Sequence, residues 1–365
     1  MTDLPSFEVP PGAVAKVHII DTTFRVANIP AKALMKPEIP GFETLPTVPT
    51  WSFLVESSDG RRALFDLGVP KDRQKSFSPA LNARIPKVAN VSVEREVSDT
   101  LTGHGVDLKD IGSIIWSHWH WDHIGDPSTF PHSTELVVGP GFKDNLLPAY
   151  PTNPDSFMLE RHFYGRILRE VNFEENSSLK IGNIPALDFF GDGSFYLLDL
   201  PGHATGHLGG LVRTSIEPDT FILMGGDVCH HPAGIRPSQW LPYPETPSVP
   251  LHVLHRWEME VGTCPGAMDI AELNKSVGKS SREPTFSPAV FTNEQVAIDS
   301  VTKAQPADAH GNIFFTFAHD HTLEGIVDLF PLPANDWKQK GWKEAARWKF
   351  LDDLVPALAK VAEKK

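Results

Sequence analysis

The chain has 365 residues, 41% hydrophobic and 22% charged, a length that fills a core and a composition ordinary for a soluble globular protein. Its formal net charge of −13 argues against a nucleic-acid backbone or an anionic membrane as partner, because both are bound through basic patches. Two cysteines, Cys229 and Cys264, are too few for a disulfide framework, no leader-like segment opens the chain and no apolar stretch could span a bilayer, so a cytoplasmic protein is expected.

In chain order, Val14–Val26 is rich in β-branched residues and predicts a strand, with His18 as a structural residue. Residues 29–50 carry Pro30, Pro37, Pro40, Pro46 and Pro49 with Gly41, too many breakers for a regular element. This stretch reads either as a lid, with Leu34, Met35 and Phe42 as contacts, or as a surface excursion. Two strands, 51–56 and 62–68, joined by the turn Ser57-Ser58-Asp59-Gly60, predict a hairpin. Val97 and Leu101 are at helical spacing within 94–104, and Gly103 and Gly105 stop that helix. The stretch 111–116 then reads as a buried strand.

That strand runs into Ser117-His118-Trp119-His120-Trp121-Asp122-His123. A lone buried histidine is usually a hydrogen-bonded core residue, but three imidazoles and a carboxylate within six positions form a dense array of metal donors. Residues two apart do not share a helical face, so an extended chain is expected, with His118, His120 and Asp122 on one side and Trp119 and Trp121 on the other. His123 breaks the alternation and calls for a turn. The pattern H-x-H-x-D-H resembles the signature of the metallo-β-lactamase superfamily, and the resemblance implies further ligands downstream.

Several downstream elements answer to it. The strand 135–138 and a short helix over 160–171 precede a strand at 195–200, which leads into Pro201-Gly202-His203 and then Gly206-His207, similar to that family's next ligand motif. Glycines beside a ligand permit the tight turn that points an imidazole back at a metal. The strand 221–224 ends in Gly225-Gly226-Asp227, where the family has a bridging aspartate. The strand 313–318 is followed by His319-Asp320-His321, which resembles the last ligand of lactonase-like members; His319 is assigned, with His321 as the alternative register. Upstream, Asp66-Leu67-Gly68 resembles an early Asp-x-Gly element whose carboxylate can fix the tautomer of a ligand histidine. Trp348, Leu351, Leu354 and Leu358 are spaced as one amphipathic C-terminal helix near 340–361 that Pro356 can kink.

The resemblance implies a single domain with an α/β, four-layer αββα sandwich. It implies one metal held by His118, His120 and His203, a second by Asp122, His123 and His319, and Asp227 shared. Two zinc ions are the expected cofactors, with iron or manganese as alternatives the same donors accept. The expected activity opens a lactone, lactam or cyclic carbamate with a hydroxide activated by the two zinc ions, Asp122 moving the proton. The motifs look closest to N-acyl homoserine lactonases and to fungal enzymes that open lactams or cyclic carbamates. One departure concerns the substrate: where those lactonases have a tyrosine three residues after the bridging aspartate, this chain has His230, followed by His231. His230 is taken as a catalytic hydrogen-bond donor. The expected partner is an apolar or aromatic small molecule near Trp119, Trp121 and Phe42, without nucleic acid or membrane; oligomeric state is open, a homodimer included. Cys229 reads as a packing residue. A glyoxalase-type thioesterase is the alternative activity, and an iron-dependent oxidoreductase of the same fold a more distant one.

Overall fold

A computed structural model describes residues 3–85, 90–175, 178–243 and 271–362; Cys264 lies outside them. Among these residues a seven-stranded sheet has the spatial order Asn90–Ser92, Lys16–Ala27, Val48–Glu56, Arg62–Phe65, Ser113–Ile115, Glu135–Val138, Leu168–Glu170. A six-stranded sheet has the order Ile313–Thr316, Thr220–Met224, Leu208–Ser215, Phe195–Asp199, Ile184–Asp188, Lys180–Ile181.

Period-two alternation builds the layers. Val17, Ile19, Phe53, Val55, Phe65 and Ile115 face inward and pack on Phe195, Leu197, Val212, Ile222 and Met224 of the other sheet. Their neighbours Ile20, Leu54, Leu64 and Ile114 face outward and meet Leu81, Leu101 and Phe142 from helices. On the far side Leu198, Leu211, Leu223 and Phe315 are covered by Val301, Ala304 and Ala307 of the helix Glu294–Ala309. The result is the expected four-layer αββα sandwich. No helix among the described residues is long and apolar enough to cross a membrane.

Three expectations need correction. The stretch 160–171 is a 3-10 turn, Glu160–His162, followed by the edge strand Leu168–Glu170, which pairs in parallel with Glu135–Val138. Gly165 at φ +74° ends any helical course, and the buried Arg166 guanidinium donates to the carbonyls of Thr134, Pro127 and Phe130. The C-terminal segment is three pieces rather than one helix: Trp342–Arg347, a 3-10 stretch Lys349–Leu354, and Val355–Ala362. Pro356 falls in the first turn of the last piece, where its missing N–H costs nothing. Finally, the proline-rich stretch is packed: Met35 and Phe42 are buried with Phe286, Leu351, Leu354 and Leu358 in one apolar cluster.

The two sheets meet at one edge. There the Leu208 N–H donates to Ser117 O at 2.7 Å and the Trp51 N–H to Ala318 O at 2.9 Å. Arg62–Phe65, Ser113–Ile115, Phe195–Asp199, Thr220–Met224 and Ile313–Thr316 all end there by their carboxyl ends, the side of α/β sheets on which ligands bind.

Candidate metal centre

Each of those five strand ends delivers a functional side chain. Asp66 follows the first with φ +63°, a left-handed backbone that aspartate tolerates better than most residues. Its carboxylate accepts from the Ser117 N–H at 2.7 Å, the Ser117 hydroxyl at 2.7 Å and His123 Nδ1 at 2.8 Å. His118 to His123 leave the second strand, but not as an extended run. The chain turns, with the His123 N–H donating to His120 O at 3.1 Å, so Asp122 is carried away from His118 and His120. The tryptophans separate as well: Trp119 stacks on Phe157 and Trp121 meets Phe24 edge-on.

His203 arrives through Gly202, at φ +117°, where a Cβ would lie 2.2 Å from Ala297 N, so no side chain fits. Asp227 arrives through Gly226, at φ +54°, where a Cβ would meet His207 Nε2 at 2.7 Å. His207 explains that closeness. Its Nδ1 lies 2.6 Å from Leu200 O and its Nε2 accepts the Asp227 N–H at 2.8 Å, so it holds the backbone of Asp227 rather than joining the donors. His319 follows the last strand.

Two donor groups result. His118, His120, His203 and Asp227 form one; Asp122, His123 and His319 form the other, the ligand atoms of each lying within 4.8 Å of one another. In the first, His203 Nε2 is 3.2 Å from His118 Nε2 and 3.0 Å from His120 Nδ1, and Asp227 Oδ2 is 3.5 Å from His203 Nε2. In the second, His319 Nε2 is 3.5 Å from Asp122 Oδ2, and His123 Nε2 is 3.9 Å from Asp122 Oδ1. Asp227 spans both: its Oδ1 is 3.2 Å from His123 Nε2 and its Oδ2 is 3.3 Å from His319 Nε2.

In three of the five histidines the outward nitrogen is engaged, which leaves the inward one to face a cation. His123 Nδ1 faces Asp66, His203 Nδ1 faces Val290 O at 3.3 Å, and His319 Nδ1 faces Pro49 O at 2.8 Å. A proton held outward on Nδ1 leaves Nε2 bare. Burial holds His118 and His203 well below the ordinary imidazole range, with neighbouring histidines adding to it, and burial brings His120 down to about 3. Burial also works against charge at His123 and His319, but Asp227, together with Asp66 at His123 and Asp122 at His319, outweighs it and both stand above the ordinary value. For Asp227 burial raises the carboxyl, yet His123 and His319 leave it well below the usual carboxylate range.

The donors fit divalent cations. Buried polar groups are nearly always satisfied, yet His123 Nε2 and Asp227 Oδ1 have no hydrogen-bond partner and face each other across the centre. Five imidazoles and two carboxylates converging this way suit borderline metals such as zinc.

All seven residues expected as ligands are therefore brought together, and Asp122 stands half-buried at the edge of the group. His230 is buried, its Nε2 3.3 Å from Asp227 Oδ2 and its ring stacked 5.7 Å from that of His319. Asp227, His230 and His319 form a further group of metal-type donors. His321 points elsewhere, to Asp353. Cys229 is buried in the second sheet's outer core, where burial pushes its thiol up. Sequence reading missed Ser117 and the Pro49 and Val290 carbonyls as orienting groups. The serine's place beside the first histidine was a usable signal, whereas the two carbonyls leave none.

A family model described as the metallo-beta-lactamase superfamily matches residues 45–221. "Gamma-lactamase FDB1" of Fusarium pseudograminearum is 41% identical over 97% of this chain and 87% of its own length. A "Cytochrome P450 monooxygenase mpaDE" of Penicillium roqueforti is 40% identical over 97% of this chain, which spans only 39% of that longer protein. Among solved structures, a B. thuringiensis AiiA variant with N-decanoyl-L-homoserine bound at its active site covers 88% of this chain and 99% of its own, with a TM-score of 0.57 at 17% identity. That last similarity is one of fold.

Proposed function

The chain belongs to the metallo-β-lactamase superfamily, and on that basis we propose that it is a hydrolase that opens a cyclic amide or ester, a lactam ahead of a lactone or cyclic carbamate. The observation that carries this reading is the convergence of five histidine rings and two carboxylates on one strand-end edge. The preference for a lactam is supported by a relative named a gamma-lactamase that aligns over nearly the whole chain.

His118, His120 and His203 would hold one cation, Asp122, His123 and His319 another, and Asp227 would serve both. Two zinc ions, or iron or manganese on the same donors, would supply an activated water and a Lewis acid for the carbonyl. The remaining chemistry belongs to side chains. Asp122, at the half-buried rim, takes up the proton lost by the attacking water and returns it to the leaving nitrogen or oxygen. His230, where a lactonase has tyrosine, donates a hydrogen bond to the carbonyl or leaving atom. Asp66 and His207 keep His123 and Asp227 aimed. Trp119 and Trp121, each half-buried beside the ligands, offer flat apolar walls to the substrate.

The test is metal analysis of the purified protein followed by hydrolysis of a panel of lactams, lactones, cyclic carbamates and thioesters. The expected result is about two cations per chain and turnover of a cyclic amide or ester, both lost in His118→Ala and Asp227→Ala. Turnover confined to thioesters would replace this reading with the thioesterase one. Iron in every chain, with no zinc and no hydrolysis, would point to oxidoreductase chemistry.

A further inference from the structure

Beside the candidate centre lies another convergence of metal-type side chains: His231, His321 and Asp353. His231 Nε2 and His321 Nε2 lie 3.1 and 2.8 Å from one atom, Asp353 Oδ2, and the two rings stack with centroids 5.6 Å apart. By composition the trio could pass for a cation site. The tautomer of His231 argues against it. His231 caps the turn Pro232–Gly234, and its Nδ1 accepts the Ala233 N–H at 3.1 Å. A neutral imidazole that accepts at Nδ1 carries its proton on Nε2, so that nitrogen donates to Asp353 and has no lone pair for a metal. Phe42, Phe286 and Phe350 meet the His231 ring edge-on and bury it, so the bond to the half-buried Asp353 is shielded on the His231 side.

The trio's place in the fold shows what it holds. Thr220–Met224 and Ile313–Thr316 are neighbouring parallel strands, and the backbone bonds that join them run out at Gly225 N–H to Thr316 O and Ala318 N–H to Gly226 O. Asp227 and His230 lie beyond that point on one loop, and His319 on the other. His231 and His321 follow directly, and Asp353, from the 3-10 stretch Lys349–Leu354, accepts from both.

We propose that Asp353 is a positioning residue for the candidate cation pair, an inference that rests on the metal-centre reading above. By accepting one ring N–H from each loop, its carboxylate fixes the loop bearing Asp227 and His230 against the loop bearing His319. It touches neither cation nor substrate and acts through the two loops.

The experiment titrates metal-free, full-length protein with zinc against a competing chelator and follows the melting temperature of the same metal-free samples. Wild type is compared with Asp353→Ala, Asp353→Asn and Leu354→Ala, the last removing buried apolar contacts from the same segment while leaving the brace intact. Asp353→Ala is expected to weaken zinc binding by about 10–100-fold, the range typical for groups that orient metal ligands. Asp353→Asn, whose carbonyl oxygen still accepts, falls between that variant and wild type. Leu354→Ala melts lower but binds zinc as wild type does. Unchanged affinity in Asp353→Ala overturns the brace, as does an equal loss in Leu354→Ala. A third zinc equivalent in wild type that vanishes with Asp353→Ala also overturns it, in favour of a cation site. A wild type that takes up no zinc brings down the metal-centre reading and the brace together, whereas normal zinc uptake indifferent to Asp353 brings down the brace alone.

Discussion

At the residue scale the centre is a problem of proton placement. A histidine ligates only through a bare nitrogen, and in this chain the outward nitrogen of His123, His203 and His319 is engaged by a carboxylate or a backbone carbonyl. Asp66 is the most loaded of these partners, because its two oxygens accept from Ser117 twice and from His123 once. Asp66→Asn keeps a residue that tolerates the positive φ but turns one acceptor into a donor, facing a group that also donates. Zinc affinity is expected to fall about 10–100-fold with the fold retained, measured by chelator competition alongside circular dichroism. Wild-type affinity in that variant would show that the His123 tautomer is set by something else. The ligands themselves were legible in the sequence because most sit in a short motif with glycine or another ligand, and His319 follows directly on an apolar strand. The residues that aim them were mostly not legible, since a carbonyl such as Pro49 O or Val290 O can belong to any side-chain type.

At the element scale, sequence reading did well where a strand ends in a functional motif and poorly elsewhere. Strands such as Glu135–Val138 and Thr220–Met224 are short apolar runs bounded by breakers, and they fall where expected. The helix Glu294–Ala309 went unread because its buried face is built of Ala297, Ser300, Val301, Ala304 and Ala307, small residues that make little amphipathic contrast, with Pro306 inside it. The last turn of that helix carries Asp308, whose carboxylate pairs with Arg236 at 2.7 and 3.0 Å, both side chains being buried. Arg236 also donates to Arg347 O at 2.7 Å, and Lys343 donates to the carbonyls of Asp308, His310 and Ile313. Asp308 therefore joins three elements: the turn after the centre, the covering helix and the C-terminal segment. Asp308→Ala strands a buried guanidinium and is expected to destabilise the protein by about 3–5 kcal/mol. The check is the urea midpoint with its slope unchanged. A shift below ~1 kcal/mol would mean that water reaches Arg236 and replaces the lost partner.

At the scale of the whole molecule, the layered arrangement was legible only through the resemblance; the residue pattern alone supports an α/β protein with a metal site. Two sheets pressed face to face leave polar groups at their rims, and one such rim sets an acid limit on stability. Glu56 ends the strand Val48–Glu56 and accepts from His18 Nε2 at 3.0 Å and Arg62 Nε at 2.6 Å, while His18 Nδ1 lies 3.0 Å from Leu332 O. The contact thus ties the first sheet to the segment that follows His319. The hydrogen bond from His18 is the largest influence on the Glu56 carboxyl, and with Arg62 it outweighs burial and brings the group down to about 2 from its ordinary 4.5. The sign follows from proton counting: between those values the unfolded chain binds a proton that the folded chain does not, so stability falls as pH falls. The contribution is complete above pH ~4.5 and gone near pH ~2, and with the side chain 18% exposed it is on the order of 3 kcal/mol. Metal-free protein isolates this limb from cation loss at the centre. Denaturant midpoints of wild type and Glu56→Gln, taken from pH 6 down to pH 2, are expected to converge as acid is added, the wild type being the more stable at the upper end. Parallel curves across that range would show that the pair contributes equally in both protonation states and that another carboxylate sets the acid limit.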